Sequence, residues 1–97
     1  MFDLSDEEYQ LLLGILNEHL SGCRVYAFGS RVKGDHHPWS DLDLYIESDK
    51  AISSELKEAL SESDIPIFVD LIDSQEVSPE FRETLTKVGM VLVATIE

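Results

Sequence analysis

Apolar positions along this chain follow two rhythms, one helical and one extended, and the alternation between them predicts the elements. Leu12, Leu13, Leu16 and Leu20 recur at helical spacing. Ahead of them, Ser5-Asp6-Glu7-Glu8 has the form of a capping box, in which a serine hydroxyl and a glutamate three residues on satisfy each other's backbone amides. Ser21-Gly22 supplies the stop. Arg24 to Phe28 is rich in β-formers and runs into Gly29-Ser30 and a loop of turn formers ending at Trp39-Ser40. Asp41-Leu42-Asp43-Leu44 alternates and then turns wholly apolar through Tyr45-Ile46, the pattern of a mostly buried strand. Ile52, Leu56, Ala59 and Leu60 mark one face of a second helix opened by Ser53 or Ser54, and Ile65-Pro66 breaks it. Ile67 to Ile72 reads as a third strand. Ser78-Pro79-Glu80 reads as a helix start with proline in its first turn. Phe81, Leu85 and Val88 form that helix's apolar stripe, Gly89 caps it, and Met90 to Ile96 is a final strand.

Strands separated by helical crossovers imply an α/β (α+β) sheet with much parallel pairing. The expected architecture is a small mixed sheet of about four strands with flanking helices, in one domain over residues 1–97. At 97 residues such a domain can hold a core without staples.

Charge narrows the function. Seven Lys and Arg against 20 Asp and Glu leave a formal net charge of −13, which repels phosphate backbones and anionic headgroups. Broad electrostatic capture of nucleic acid or membrane is therefore excluded as an expectation. No apolar run approaches the length of a membrane-spanning helix. The lone cysteine, Cys23, cannot form an internal disulfide, so a reducing, cytoplasmic setting is expected, with Cys23 as a buried structural thiol.

Three features carry chemistry. Gly29-Ser30 ends a strand, Asp41 and Asp43 lie two apart at the start of another, and Asp70 lies inside a third apolar run. Residues i and i+2 of a strand share a face with Cα atoms about 6.5–7 Å apart. Carboxylates that close repel one another unless a cation stands between them, and an oxygen-rich set of three suits Mg²⁺. Asp70 between Val69 and Leu71 would be costly to bury without a cation or donors. Asp73 is its rival, but it precedes the Ser74-Gln75 exit. Gly29 to Gly34 supplies an anion side, with Arg31 and Lys33 among the chain's few cations. A P-loop reading fails, because Asp35-His36 follows Gly34 where Lys and then Ser or Thr are needed. Blander readings stand beside these: Asp41 as a turn cap, Asp70 in a buried ion pair, Arg31 and Lys33 as solvated loop charges. His36-His37 reads as surface loop rather than zinc site, since no second His/Cys cluster exists. Trp39 is either a contact for adenine or a partner, or a lid on the core. The acids of the helix faces (Asp6, Glu7, Glu18; Glu55, Glu58, Glu62) are solvated surface or a meeting face for a basic partner.

Gly29-Ser30, ten residues, Asp41-Leu42-Asp43 and then Asp70 in an apolar strand together resemble the DNA polymerase β-like nucleotidyltransferase superfamily. The likeness is greatest to its minimal nucleotidyltransferase branch, the antitoxins encoded beside HEPN-domain ribonuclease toxins. The resemblance covers nearly the whole chain. It implies the minimal polymerase-β-like fold, ATP as substrate, and two Mg²⁺ ions held by Asp41, Asp43 and Asp70, with Asp70 nearest the attacking hydroxyl. It also implies a triphosphate held at Gly29 and Ser30 with help from Arg31, Lys33 and Ser40. The implied reaction is transfer of AMP to a tyrosine of a HEPN-domain toxin, in a hetero-oligomer in which the partner supplies the missing half of the cleft. Two other expectations remain open: a non-catalytic antitoxin that neutralises its partner by contact, and transfer to a small molecule with a separate substrate-binding subunit.

Overall fold

Each helix starts where a serine can satisfy the backbone amides that the first turn leaves without partners. The computed structural model describes residues 4–29, 41–65 and 68–97. Helix α1 (Asp6–His19) opens on the expected capping box: Glu8 N donates to Ser5 Oγ at 3.1 Å, and Ser5 N donates to Glu8 Oε1 at 2.8 Å. Of the two candidate serines, Ser53 caps α2 (Ser54–Ser61), taking a bond from Leu56 N. Ser78 caps α3 (Pro79–Val88), and Gly89, at φ +98°, closes it. The strands are β1 (Cys23–Phe28), β2 (Leu42–Glu47), β3 (Val69–Asp73) and β4 (Val91–Ile96).

These strands form one sheet in the order β3-β2-β1-β4. Only β2 and β3 run parallel; β1 is antiparallel to both β2 and β4. The expectation of much parallel pairing is corrected here. The crossover through α3 carries β4 past β2 to the far side of β1, where its direction opposes β1. Only the β2–α2–β3 crossover therefore joins parallel neighbours, and the mixed four-stranded architecture holds.

Alternation divides the sheet into two unlike faces. Val25 and Ala27 of β1 and Leu42, Leu44 and Ile46 of β2 are fully buried and pack in one cluster with Leu12 and Leu16 of α1 and Leu56 and Leu60 of α2. Complete burial of a side chain such as these contributes about 1.5–3 kcal/mol. Cys23 belongs to the same cluster, and burial pushes its thiol pKa up, so it is a structural thiol as expected. The opposite face holds Tyr26, Phe28, Asp43, Tyr45, Glu47 and Asp70, as the register dictates: Tyr26 opposes Tyr45, Phe28 opposes Asp43, and Asp43 opposes Asp70. At one end of this face Arg82 of α3 donates to Glu47 at 2.9 Å, an exposed pair of small energetic weight. Tyr45 is fully buried, and burial raises its phenol pKa, with the Arg82 charge opposing. Ser74 Oγ lies near enough to favour the phenolate slightly but is itself bonded to Ser48 N and O, and the Tyr45 hydroxyl has no well-formed hydrogen bond.

The apolar stripe read on α3 is mostly exposed. Leu85 is buried, but Phe81 and Val88 are 39% and 49% exposed, and Val91 and Leu92 of β4 are exposed as well. Helical periodicity reports which residues share a face and says nothing of whether another layer exists to cover it.

Asp73 is a second correction. It lies within β3, not beyond it, and is only 3% exposed. Its Oδ2 accepts from Ile52 N at 2.8 Å and its Oδ1 from Gln75 N at 2.9 Å, so it ties the lead-in to α2 to the exit of β3. Asp73→Ala leaves two amides without an acceptor and is expected to cost on the order of 2–4 kcal/mol, lowering Tm by about 10 °C or more. Asp73→Asn, which turns one amide donor against another, is expected to fall between wild type and Asp73→Ala. Thermal unfolding followed by circular dichroism checks both, and Asp70→Asn on the same strand is expected to leave Tm unreduced.

Candidate active site

The acidic site lies where three strand ends meet. β2 and β3 start at this edge of the sheet, and β1, running the other way, finishes there at Phe28 and Gly29. Asp41 is exposed one residue before β2, Asp43 is half-buried as its second residue, and Asp70 is exposed as the second residue of β3. Parallel register sets Asp43 directly across from Asp70. Neighbouring strands lie about 4.8 Å apart, so the two side chains stand next to each other on one face. Alternation places Asp41 on that same side of the chain.

The electrostatics carry the mark of that arrangement. Burial pushes the Asp43 carboxyl up from the usual aspartate range, and the charges of Asp70 and then Asp41 push it further. All three causes disfavour ionisation. The expectation that Asp70 would be buried is corrected: it is exposed, because Val69 and Leu71 beside it in sequence point to the opposite face. An apolar flank in a strand reports the other face, not the residue's own surroundings.

Gly29 closes the site from the β1 side. It adopts φ +88°, and a Cβ at this position would lie 2.5 Å from Asp43 Oδ2. The backbone angle favours glycine, and a side chain here would also push the tip of the Asp43 carboxylate aside. Ser30, Arg31, Lys33 and Ser40, the other residues expected at a triphosphate, lie outside the described residues, as do His36, His37 and Trp39.

Among the described residues, no three His, Cys, Asp or Glu side chains stand close enough to cage a metal ion unaided. The donor set nonetheless fits Mg²⁺, which takes one or two carboxylates together with water and substrate phosphates instead of a closed protein cage. Asp41, Asp43 and Asp70, with the Asp43 carboxyl pushed up by burial and by its two neighbours, are the carboxylates such a site would draw on.

Comparison with known proteins identifies the setting of this row of acids. The family model for polymerase beta nucleotidyltransferases matches residues 12–97. The chain belongs to that family. Its activity is accordingly that of a nucleotidyltransferase, and the mixed four-stranded sheet with three helices among the described residues is its polymerase β-like fold. Within the family the chain is 44% identical over 94 residues to the "Probable protein adenylyltransferase MntA" of Haemophilus influenzae (strain ATCC 51907 / DSM 11121 / KW20 / Rd). The alignment covers 93% of this chain and 82% of that protein. The likeness to minimal nucleotidyltransferases of the MntA type drawn from Gly29-Ser30 and the three aspartates is thereby shown. The fold also matches a crystal structure of a toxin-antitoxin with AMP-PNP at a TM-score of 0.73 and 18% identity. That match covers 92% of this chain and 74% of the other.

Sequence reading missed the contact between Gly29 and Asp43. The glycine itself was legible, but its close approach to a carboxylate fourteen residues away was not. Gly29→Ala is expected to cost about 1–3 kcal/mol, from the positive φ and the displaced carboxylate. It is also expected to lower nucleotidyl transfer more than Gly22→Ala, a glycine at φ +64° with nothing near its Cβ position. Denaturant unfolding and a transfer assay on the two variants make the comparison.

The raised pKa of Asp43 has a definite sign. The folded state binds this proton more tightly than the unfolded state, so stability falls as pH rises from the usual aspartate value through the raised folded one. Above that window the ionised carboxylate is a standing cost to the fold. In metal-free buffer Asp43→Asn is expected to raise Tm at neutral pH and to flatten the pH dependence in that acid window. Melting curves from pH 3 to 8 check this, and an Asp43→Asn protein less stable than wild type at neutral pH would contradict it.

Proposed function

We propose that this nucleotidyltransferase moves AMP from ATP onto a hydroxyl of a partner protein and acts by that reaction as the antitoxin of a toxin–antitoxin pair. The observation that carries the reading is the placing of Asp41, Asp43 and Asp70 on one side of the same open end of the sheet, with the Asp43 carboxyl pushed up by burial and then by the charges of Asp70 and Asp41. Support comes from the name of the 44% identical relative, a protein adenylyltransferase, and from the fold match to an antitoxin complex holding an ATP analogue. The finer reading is a tyrosine acceptor on a HEPN-domain ribonuclease toxin, two Mg²⁺ ions, and a cytoplasmic setting in keeping with the buried unpaired Cys23.

The chain's own residues have distinct work to do. Asp41 and Asp43 would hold both ions, and Asp70 would complete the site on the acceptor side. Mg²⁺, when bound, supplies charge neutralisation at the triphosphate and at the departing pyrophosphate. Gly29, which presents its backbone without a side chain, would let a phosphate approach beside Asp43, with Ser30, Arg31, Lys33 and Ser40 as its further contacts. Transfer forms a bond between the acceptor oxygen and Pα and breaks the bond from Pα to the bridging oxygen. Pyrophosphate leaves, and the hydroxyl proton passes to Asp70 or to water.

Incubation with the co-encoded toxin, ATP and Mg²⁺ tests this. Mass spectrometry is expected to find the toxin heavier by AMP on a tyrosine. The Asp41→Asn/Asp43→Asn double variant is expected to lower the rate by at least about a hundredfold, some 2.7 kcal/mol of transition-state stabilisation. If that variant still protects cells from the toxin, neutralisation is by contact and not by chemistry.

A further inference from the structure

Strand β3 is an edge of the sheet, and among the described residues nothing pairs with its outer side. Along that edge, between α2 and β3, runs a groove of about 600 Å³. Leu60, Ile65, Phe68, Val69 and Leu71 line it, Lys57 and Glu58 stand at it from α2, and it reaches Asp70. Phe68 is 62% exposed there, a large aromatic surface left beside the acids of the site.

The two-residue period of β3 relates the groove to the reaction centre. Val69 and Leu71 pack toward the core that α2 covers, while Asp70 shares the other face with Asp43. A strand laid along the free edge obeys the same alternation. A residue falling opposite Asp70 projects onto the face of Asp43 and Asp70, and the residues before and after it project toward α2. We propose that the acceptor reaches this site as an extended segment that adds to the free edge of β3, with its hydroxyl residue opposite Asp70 and apolar residues on both sides of it seated in the groove. The inference rests on the nucleotidyl-transfer reading above and adds to it the conformation and sequence class of the acceptor, apolar–hydroxyl–apolar. Backbone pairing with an edge strand supplies affinity that is tolerant of sequence, and pockets for alternate side chains supply the selection. The edge of β3 and the groove divide those two tasks.

The test uses the full chain with Mg²⁺, ATP and short tyrosine peptides, one with Ile and Val flanking the tyrosine and one with Asn on both sides. Transfer to the apolar-flanked peptide is expected to be favoured by about tenfold or more in kcat/KM, the scale of one hydrophobic contact in a pocket. Phe68→Ala is expected to raise KM for that peptide and shrink the preference, with affinity for Mg²⁺·ATP within about twofold of wild type. N-methylation of successive peptide amides is expected to block transfer at alternate positions, because only every second amide faces β3. Equal transfer to both peptides, transfer to neither while the intact toxin is modified, or an N-methylation profile without alternation overturns the inference and leaves the proposed function standing. A chain that neither binds Mg²⁺·ATP nor modifies the toxin overturns both.

Discussion

The parallel pairing of β2 with β3 puts Asp43 against Asp70, and the site is organised around that juxtaposition of like charges. Two carboxylates on adjacent strands would separate if either strand could slide or rotate. Neither is free to do so. Leu42, Leu44 and Ile46 alternate with Asp43 along β2 and are fully buried in the cluster with α1 and α2, so a register slip of one residue would turn every one of them out of that core to the other face. The core's demand for its apolar face holds the acids together on the other.

The same strand shows how differently one residue type can be used. Asp70 and Asp73 are three residues apart in β3, and alternation sends them to opposite faces. Asp73 goes inward, where two backbone amides occupy both of its oxygens and join α2 to the end of the strand. Asp70 goes outward, where it meets another carboxylate and no apolar cover. A carboxylate whose oxygens are filled by backbone donors stabilises the fold, whereas the Asp43 carboxyl, half-buried and set against its like, opposes it. Gly29 belongs with Asp70 in this respect, since its left-handed backbone and the close approach of Asp43 Oδ2 give up stability for an open site.

The two ends of the open face are unlike as well. Toward the end of β2, Arg82 from α3 meets Glu47 and the Tyr45 ring is enclosed. Toward its start, the three aspartates face outward beside the edge groove of β3. Helix α3 covers little, with Phe81 and Val88 exposed, and the layer that would bury a second face of the sheet is thin among the described residues. Among the described residues the acidic end of the sheet is therefore left open instead of enclosed.

Much of this was legible in the sequence, because the signals were local. Ser5, Ser53 and Ser78 announce helix starts through bonds spanning three residues, and the alternation of Leu42, Asp43 and Leu44 assigns faces within one strand. Gly29, Asp41, Asp43 and Asp70 were identifiable as a set by spacing and by their likeness to a family. What tertiary structure alone decided depends on contacts between distant segments. The antiparallel placing of β4, the burial of Asp73 against Ile52, the exposure of Phe81 and Phe68, and the fit of Gly29 to Asp43 are all of this kind. Local rules assign each residue a face; only the packing of other segments decides whether that face meets core, solvent or another charge.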